Sequence, residues 1–133
     1  TPDDPSRRMM QEHKAIIVHV FSQADFDLFA RLSGDNNPIH TDPDFSHDTR
    51  FGRTVAHGLL LCSVLRGLID RLKPGSRLSE QAVMFPAPTY ADEQMQFSVK
   101  VTGSQDDKTG LELEVKRLDD NTVTCQGTAT VVT

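Results

Sequence analysis

Residues 55–73, VAHGLLLCSVLRGLIDRLK, decide the fold, because they hold the longest apolar run of the chain, residues 59–65. Leucine, isoleucine and valine cover most of a helical wheel over this stretch, which predicts a helix buried on nearly all sides. The charged residues that begin at Asp70 bring the helix to the surface, and Pro74 follows it as a stop signal. Such a helix needs apolar partners around it, so the flanking segments are expected to supply them.

Strands are predicted on both sides of this helix. Residues 14–21, KAIIVHVF, are dense in β-branched side chains and predict a strand. Alternating apolar residues in the last third of the chain predict about four antiparallel strands, the first at 81–85, with hairpin loops at 103–110 and 118–121. One antiparallel sheet wrapped around one apolar helix is the compact way to bury these faces, which predicts the α+β class.

A shorter helix and a long loop are predicted ahead of the central helix. Ser22 is a candidate N-cap, Asp25 stands where the partner in a capping box would be, and apolar residues follow at helical spacing up to Gly34. Residues 34–53 then show no period and are rich in Asp, Asn, Pro and His. An aperiodic segment of this length inside a compact domain is more often functional than idle.

The length, charge and cysteine content of the chain limit the classes of protein to which it can belong. A chain of 133 residues fits one domain, predicted at 13–133 behind a flexible N-terminal arm at 1–12. The net charge of -5 argues against nucleic acid as a partner, and no apolar run is long enough to span a membrane. Cys62 and Cys125 sit in apolar patterns, and the start of the chain lacks the features of a retained signal peptide. These features together predict a soluble cytoplasmic protein with reduced thiols.

The candidate chemistry lies in residues 33–40, SGDNNPIH. Asp35 and His40 are five residues apart across a turn that contains proline, so a short loop can direct both side chains to one point. A carboxylate and an imidazole that share one water are sufficient for general acid–base catalysis. The alternative is structural: Asp35 caps a turn and His40 is solvated. Spacing alone does not separate these two interpretations.

The sequence lacks the residues that metal binding, nucleophilic catalysis or phosphate binding would require. His40 and His47 are seven apart with no CxxC or HxxxH in the chain, so no zinc site is predicted. A calcium loop that began at Asp35 would lack an oxygen ligand at Ile39 and a carboxylate at Ser46. The sequence has no GxSxG motif and no glycine-rich phosphate loop. We therefore expect neither a metal nor another cofactor.

Gly58, in the Ala56-His57-Gly58 segment, stands at the head of the predicted central helix. The first backbone N–H groups of a helix have no partner within it, and the helix dipole favours negative charge there. Glycine allows another group to approach these donors closely, so a carbonyl oxygen that gains charge would be stabilised as in an oxyanion hole. The alternative is a glycine that is required only for packing.

The two segments together carry a family resemblance. Residues 32–40, LSGDNNPIH, followed by residues 51–58, FGRTVAHG, resemble the MaoC-like or (R)-specific enoyl-CoA hydratase family. The resemblance covers about residues 21–132. It implies a single hot-dog domain, in which an antiparallel sheet wraps a long central helix, and it implies that two subunits pair, so a homodimer is expected.

The resemblance also implies a reaction. It is the reversible hydration of a trans-2-enoyl thioester, on coenzyme A or a carrier protein, to the (R)-3-hydroxyacyl thioester. Asp35 would polarise the water, His40 would relay the proton, and the Gly58 N–H would bind the thioester oxygen; the first two roles are interchangeable, since a coupled pair titrates as a unit. Four further residues are implied to bind substrate or support the loop that does: Asn37, His57, Phe85 and Pro86.

Some alternatives stay open at this point. Where family members often carry a serine on the central helix, counting from Gly58 places Arg66 here, which would either face the site and pair with Asp35 or face solvent. Residues 84–90, which include Phe85 and Pro86, would flank the acyl tunnel or the pantetheine arm, or would merely form a kinked edge strand. The rival functions are a dehydratase of a polyketide or specialised fatty-acid pathway that acts on carrier-bound substrate, and a non-catalytic hot-dog partner subunit.

Overall fold

The computed structural model describes residues 9–11 and 13–133. It contains six strands: β1 (Met9–Gln11), β2 (Lys14–Val20), β3 (Arg77–Met84), β4 (Gln94–Gln105), β5 (Lys108–Arg117) and β6 (Val123–Val132). The four helices are α1 (Gln23–Ser33), α2 (Pro38–Thr41), α3 (Pro43–His47) and α4 (Gly58–Leu72). Within these ranges, no helix has the length and apolarity that a membrane crossing requires.

All strands join one antiparallel sheet in the order β1-β2-β4-β5-β6-β3. This confirms the α+β class. Strand β1 lies inside the segment predicted as a flexible arm, where it pairs with β2, while residues 1–8 and 12 of that arm lie outside the described residues. The predicted hairpin loop at 103–110 is wrong, because β4 and β5 continue to a tight turn at Asp106 and Asp107. The left-handed backbone of Asp106 (φ 59°) closes this turn.

Helix α4 packs against the concave face of the sheet and supplies the centre of the core. Its buried side chains meet apolar residues of β2, β4, β5 and β6, and the cluster includes Leu61, Leu65, Leu68, Ile69, Met95, Phe97, Val99, Leu113, Val115 and Val131. The prediction that α4 is buried on nearly all sides is wrong. Leu59, Ser63 and Gly67 are exposed at four-residue spacing, because the sheet covers only one side of the helix.

The connection between β2 and α4 contains three helices, of which α1 was predicted and α2 and α3 were not. Ser22 caps α1, and the capping box with Asp25 is complete; Gly34 ends the helix with a left-handed backbone (φ 82°). The segment predicted as an aperiodic loop contains two short helices instead. Each has proline at its start and a side-chain cap, from Asn37 for α2 and from Asp42 for α3. Helices of four and five residues are too short to produce a hydrophobic period.

Candidate active site

Asp35 lies directly after the C-terminal glycine of α1, and its two carboxylate oxygens have different surroundings. Oδ1 accepts the Asn37 N–H at 3.3 Å, and the Asp35 N–H is itself donated to Ser33 Oγ at 3.1 Å. Asp35 therefore does close a turn, as the structural interpretation expected. Its other oxygen, Oδ2, lies 3.9 Å from His40 Nε2. One side chain thus serves the turn and faces the imidazole.

His40 is held in one orientation by the backbone that leads into α4. Its Nδ1 lies 2.7 Å from the Val55 carbonyl oxygen, which can only accept, so Nδ1 carries the hydrogen. In the neutral ring, Nε2 then has a free lone pair on the side that faces Asp35. The side chain is 14% exposed, so the interpretation of His40 as a solvated residue is wrong. The 3.9 Å gap to Asp35 Oδ2 is too long for a direct hydrogen bond, and one water oxygen at about 2.8 Å from both atoms would bridge it.

His57 precedes α4 and is 2% exposed. Its ring stacks on His40 with a centroid distance of 3.8 Å and an interplanar angle of 21°, and Phe29 packs against it at 4.9 Å. His57 Nε2 lies 3.0 Å from the Asp35 carbonyl oxygen. Its Nδ1 is buried, and no group in the described part of the chain forms a hydrogen bond with it. These contacts are with the protein, so substrate binding by His57 stays a prediction.

Gly58 is the first residue of α4 and lies against the ring of Phe85. A Cβ on Gly58 would stand 2.7 Å from Phe85 Cζ, closer than side-chain atoms approach one another. This position therefore requires a glycine for packing. The same residue also lines the cavity beside His57, at the end of the helix where the dipole favours negative charge. Gly58 therefore both packs against Phe85 and lines the cavity at the N-terminus of α4.

Residues 86–90 are hydrogen-bonded to the segment that precedes α4. The Ala56 N–H donates to the Thr89 carbonyl at 2.8 Å, and Val55 pairs with Tyr90 in an isolated bridge. The Tyr90 ring also packs near two guanidinium groups, which come from Arg53 (4.3 Å) and Arg117 (5.3 Å). This pairing also explains why residues 55–57 of the apolar stretch lie outside α4, which begins at Gly58 as the sequence predicted. It keeps the segment around Phe85 beside the helix N-terminus.

These elements enclose a cavity of about 870 Å³. Six of the seven residues predicted for the site line it: Asp35, His40, His57, Gly58, Phe85 and Pro86. Asn37 does not line the cavity; its side-chain oxygen accepts the Ile39 N–H and caps α2, which supports the loop.

Other residues that line the cavity were not predicted from sequence, and they include Phe29, Arg50, Phe51, Cys62, Gln81 and Thr124. Cys62 lies one helical turn after Gly58, so helical spacing would have placed it on the same face. Gln81 and Thr124 come from β3 and β6, and nothing in the sequence links these strands to the motif. Their position depends on the pairing of the sheet.

Asp35, His40 and His57 also form a group whose possible metal-ligating atoms lie within 4.8 Å of one another. One ring nitrogen of each histidine already meets a carbonyl oxygen, and the second nitrogen of His57 is buried. The Asp35 carboxylate and His40 Nε2 are then left to face the cavity. A catalytic zinc site takes three protein ligands, so this pair fits a shared water better than a zinc ion.

Arg66 does not take part in the site. Its Nη2 donates to the Ser76 carbonyl at 2.9 Å, beyond the C-terminal end of α4, while Asp35 lies near the N-terminal end. Its Nη1 is buried although the residue as a whole is partly exposed, and the residue does not line the cavity. Of the two alternatives raised from sequence, pairing with Asp35 is wrong, because the guanidinium binds a backbone carbonyl away from the site.

Comparison with known proteins identifies the family of the chain. Residues 5–122 match the family model described as MaoC like domain. The chain is 37% identical over 97 residues to the (R)-specific enoyl-CoA hydratase of Aeromonas caviae, which covers 71% of this chain and 72% of the relative. It is 31% identical over 78 residues to the mitochondrial 3-hydroxyacyl-[acyl-carrier-protein] dehydratase of Arabidopsis thaliana, covering 59% of this chain and 47% of the relative.

The fold has solved counterparts. The (R)-hydratase from A. caviae involved in PHA biosynthesis superposes with a TM-score of 0.85 and 30% identity, covering 93% of this chain and 96% of that one. This likeness confirms the hot-dog fold. The family model, the sequence relatives and the superposition agree. The chain belongs to the MaoC-like family of hydro-lyases.

Proposed function

We propose that this protein catalyses the (R)-specific hydration of trans-2-enoyl thioesters and the reverse dehydration of (R)-3-hydroxyacyl thioesters. The observation that carries the proposal is the arrangement of Asp35 and His40. His40 donates from Nδ1 to the Val55 carbonyl, which leaves Nε2 facing Asp35 Oδ2 across 3.9 Å at the wall of a cavity. A gap of this size fits one water that donates a hydrogen to each of these two acceptors, either of which can take its proton. The hydratase and dehydratase relatives support the reaction class.

The chemistry follows from this pair. In the hydration direction the water oxygen forms a bond to C3, one O–H bond of water breaks, and its proton passes to the pair. The pair returns a proton to C2, so the sum is one water added across the double bond. Asp35 orients the water through Oδ2, because Oδ1 is held by the Asn37 N–H. His40 Nε2 relays the proton, and the two roles are interchangeable in a coupled pair.

Gly58 would stabilise the charge that builds on the thioester oxygen between the two proton transfers. Its N–H belongs to the first turn of α4, where backbone donors lack intrahelical acceptors. No acceptor in the described ranges takes this N–H. Phe85 and Pro86, which also line the cavity, would then flank the acyl thioester. None of these steps needs a metal or another cofactor.

The test is turnover of crotonyl-CoA and a longer trans-2-enoyl-CoA, with chiral analysis of the product. Asp35→Asn and His40→Ala should each reduce kcat by about 10²- to 10⁴-fold, the usual contribution of a positioned acid or base. His47→Ala is the matched control, because His47 and its partner Asp48 are 82% and 89% exposed. Treatment with a chelator should leave the rate unchanged. Full activity in both site variants, or an (S) product, would refute the proposal.

Carrier-bound substrate is the second candidate, and the plant dehydratase relative favours it. Paired assays with the same acyl group on coenzyme A and on an acyl-carrier protein separate the two cases by kcat/KM. The non-catalytic partner subunit was suggested by Arg66 alone, and Arg66 does not touch the site. Turnover by the purified chain would exclude that alternative.

We also propose a homodimer. Strand β3 is an edge of the sheet in the described chain, and apolar side chains are exposed at its end and beside it: Leu59 is 70% exposed, Met84 56% and Phe85 45%. Edge strands and exposed apolar patches are normally covered by a partner. Light scattering coupled to gel filtration should give twice the mass of one chain, and Leu59→Glu should shift the mass toward the monomer. A monomer at all concentrations would contradict the homodimer.

The proposed compartment is the cytoplasm. Cys62 and Cys125 are both unpaired and buried, as expected for a chain that folds under reducing conditions. Fractionation of the source cells, with the protein followed by antibody, tests this assignment. Recovery in a membrane or secreted fraction would overturn it.

A further inference from the structure

We infer that His57 is a positioning residue that holds both members of the Asp35–His40 pair, and not a residue that binds substrate. The inference rests on the proposed function for its kinetic part. Its structural part stands independently, since it concerns which nitrogen of each ring carries a hydrogen. His57 is suited to this role because it is 2% exposed and contacts the loop of Asp35 and the ring of His40.

The first contact fixes the backbone that carries the carboxylate. His57 Nε2 lies 3.0 Å from the Asp35 carbonyl oxygen, and a carbonyl can only accept, so Nε2 carries the hydrogen. Asp35 is otherwise held by short-range turn contacts with Ser33 and Asn37. The bond from His57 joins this turn to the start of α4, 22 residues later in the chain. Loss of the bond would let the carboxylate move relative to His40.

The second contact, a stacked pair of rings, fixes the plane of the His40 imidazole. His57 stacks on His40 at 3.8 Å, and Phe29 packs against His57 at 4.9 Å. With its plane set in this way, His40 can direct Nδ1 to Val55 and Nε2 to Asp35 at the same time. A flat neutral ring also offers a π face to the imidazolium that forms when His40 takes a proton.

A hydrogen-bond argument favours the neutral form of His57. Its Nδ1 is buried, and within the described ranges no acceptor lies within reach. A proton added there would create a buried N–H without an acceptor, which costs stability.

Two substitutions separate the contacts. His57→Gln can keep a donor for the Asp35 carbonyl but loses the stacked ring, whereas His57→Phe keeps the ring but loses the donor. Each should lower kcat by about 10- to 100-fold, the scale of a misplacement near 1 Å, with KM changed by less than about threefold. His47→Gln is the matched control and should match the parent enzyme. A raised KM with unchanged kcat would show substrate binding and overturn the inference, as would full activity of both variants.

A readout without substrate keeps the test independent of activity. Two-bond ¹H–¹⁵N spectra of protein labelled in histidine should show His57 with hydrogen on Nε2 and His40 with hydrogen on Nδ1. In His57→Gln, the His40 resonances should broaden or move toward a mixture of tautomers, while the exposed His47 signal stays unchanged. The opposite tautomer of His57, or an unaltered His40 in the variant, would refute the positioning role. If the protein had no hydratase activity, these spectra would still decide the structural claim.

Discussion

Gly58 shows how a single residue can satisfy packing and chemistry together. The Phe85 ring fills the space where a Cβ would stand, and Gly58 lines the same cavity as Asp35 and His40 at the start of α4. An alanine would keep the N–H but displace the ring. The effect of the substitution should therefore reach the cavity through Phe85, which lines it.

Gly58→Ala should reduce kcat/KM by at least about tenfold, since small displacements in an active site are costly. Phe85→Ala removes the clashing ring, so the double variant should lose less than the sum of the two single effects. Gly67→Ala on the same helix is the control, because nothing lies within 4 Å of its Cβ position. That control should be neutral or stabilising by up to about 1 kcal/mol. Strict additivity of Gly58→Ala and Phe85→Ala would contradict the proposed contact.

At the scale of elements, α1 and α4 differ from α2 and α3 in what specifies them. Helix α1 carries a complete capping box and a left-handed glycine at its end, which are local signals. Helix α4 is specified by its apolar stripe. The short helices α2 and α3 have only proline starts and side-chain caps, so their length and direction depend on contacts such as His40 with Val55.

The depth of burial along these helices predicts a contrast between two leucines. Leu65 on α4 is 0% exposed and Leu32 on α1 is 77% exposed. Leu65→Ala should lower the free energy of unfolding by about 2–5 kcal/mol, because it removes core contacts and leaves a cavity. Leu32→Ala should change it by less than about 0.5 kcal/mol. Urea denaturation followed by circular dichroism measures both, and equal losses would contradict the packing described for α4.

At the scale of the whole molecule, two buried thiols, Cys62 on α4 and Cys125 on β6, link the packing of the helix on the sheet to the pH dependence of stability. Burial raises the pKa of the Cys62 thiol, partly offset by a hydrogen bond with Gln81. Burial, with a smaller effect from nearby Cys62, raises the pKa of Cys125 to about 12. Both groups therefore bind their protons more tightly in the folded chain than in the unfolded one. Their contribution to stability is complete below the ordinary thiol pKa and is lost as the pH rises above it.

Stability should consequently fall with rising pH in the alkaline range. Above the unfolded thiol pKa of about 8.5, a single thiol that stays protonated only in the folded state adds a slope of up to about 1.4 kcal/mol per pH unit. Cys125→Ala should remove one such contribution, so the difference in unfolding free energy between variant and parent should shrink as the pH rises. Urea titrations across this range measure the difference. A constant difference would mean that Cys125 does not titrate as a buried thiol.

Sequence patterns alone predict the apolar central helix, the capped α1, most of the strands, and the two segments that contain Asp35, His40 and Gly58. These features are local, because periodicity, caps and turn residues act within a few positions. Only the tertiary structure decided that His57 stacks on His40, that Arg66 turns away to Ser76, and that Gln81 and Thr124 reach the cavity. The physical reason is that these contacts depend on sheet register and on the docking of α4. Both join residues far apart in the chain.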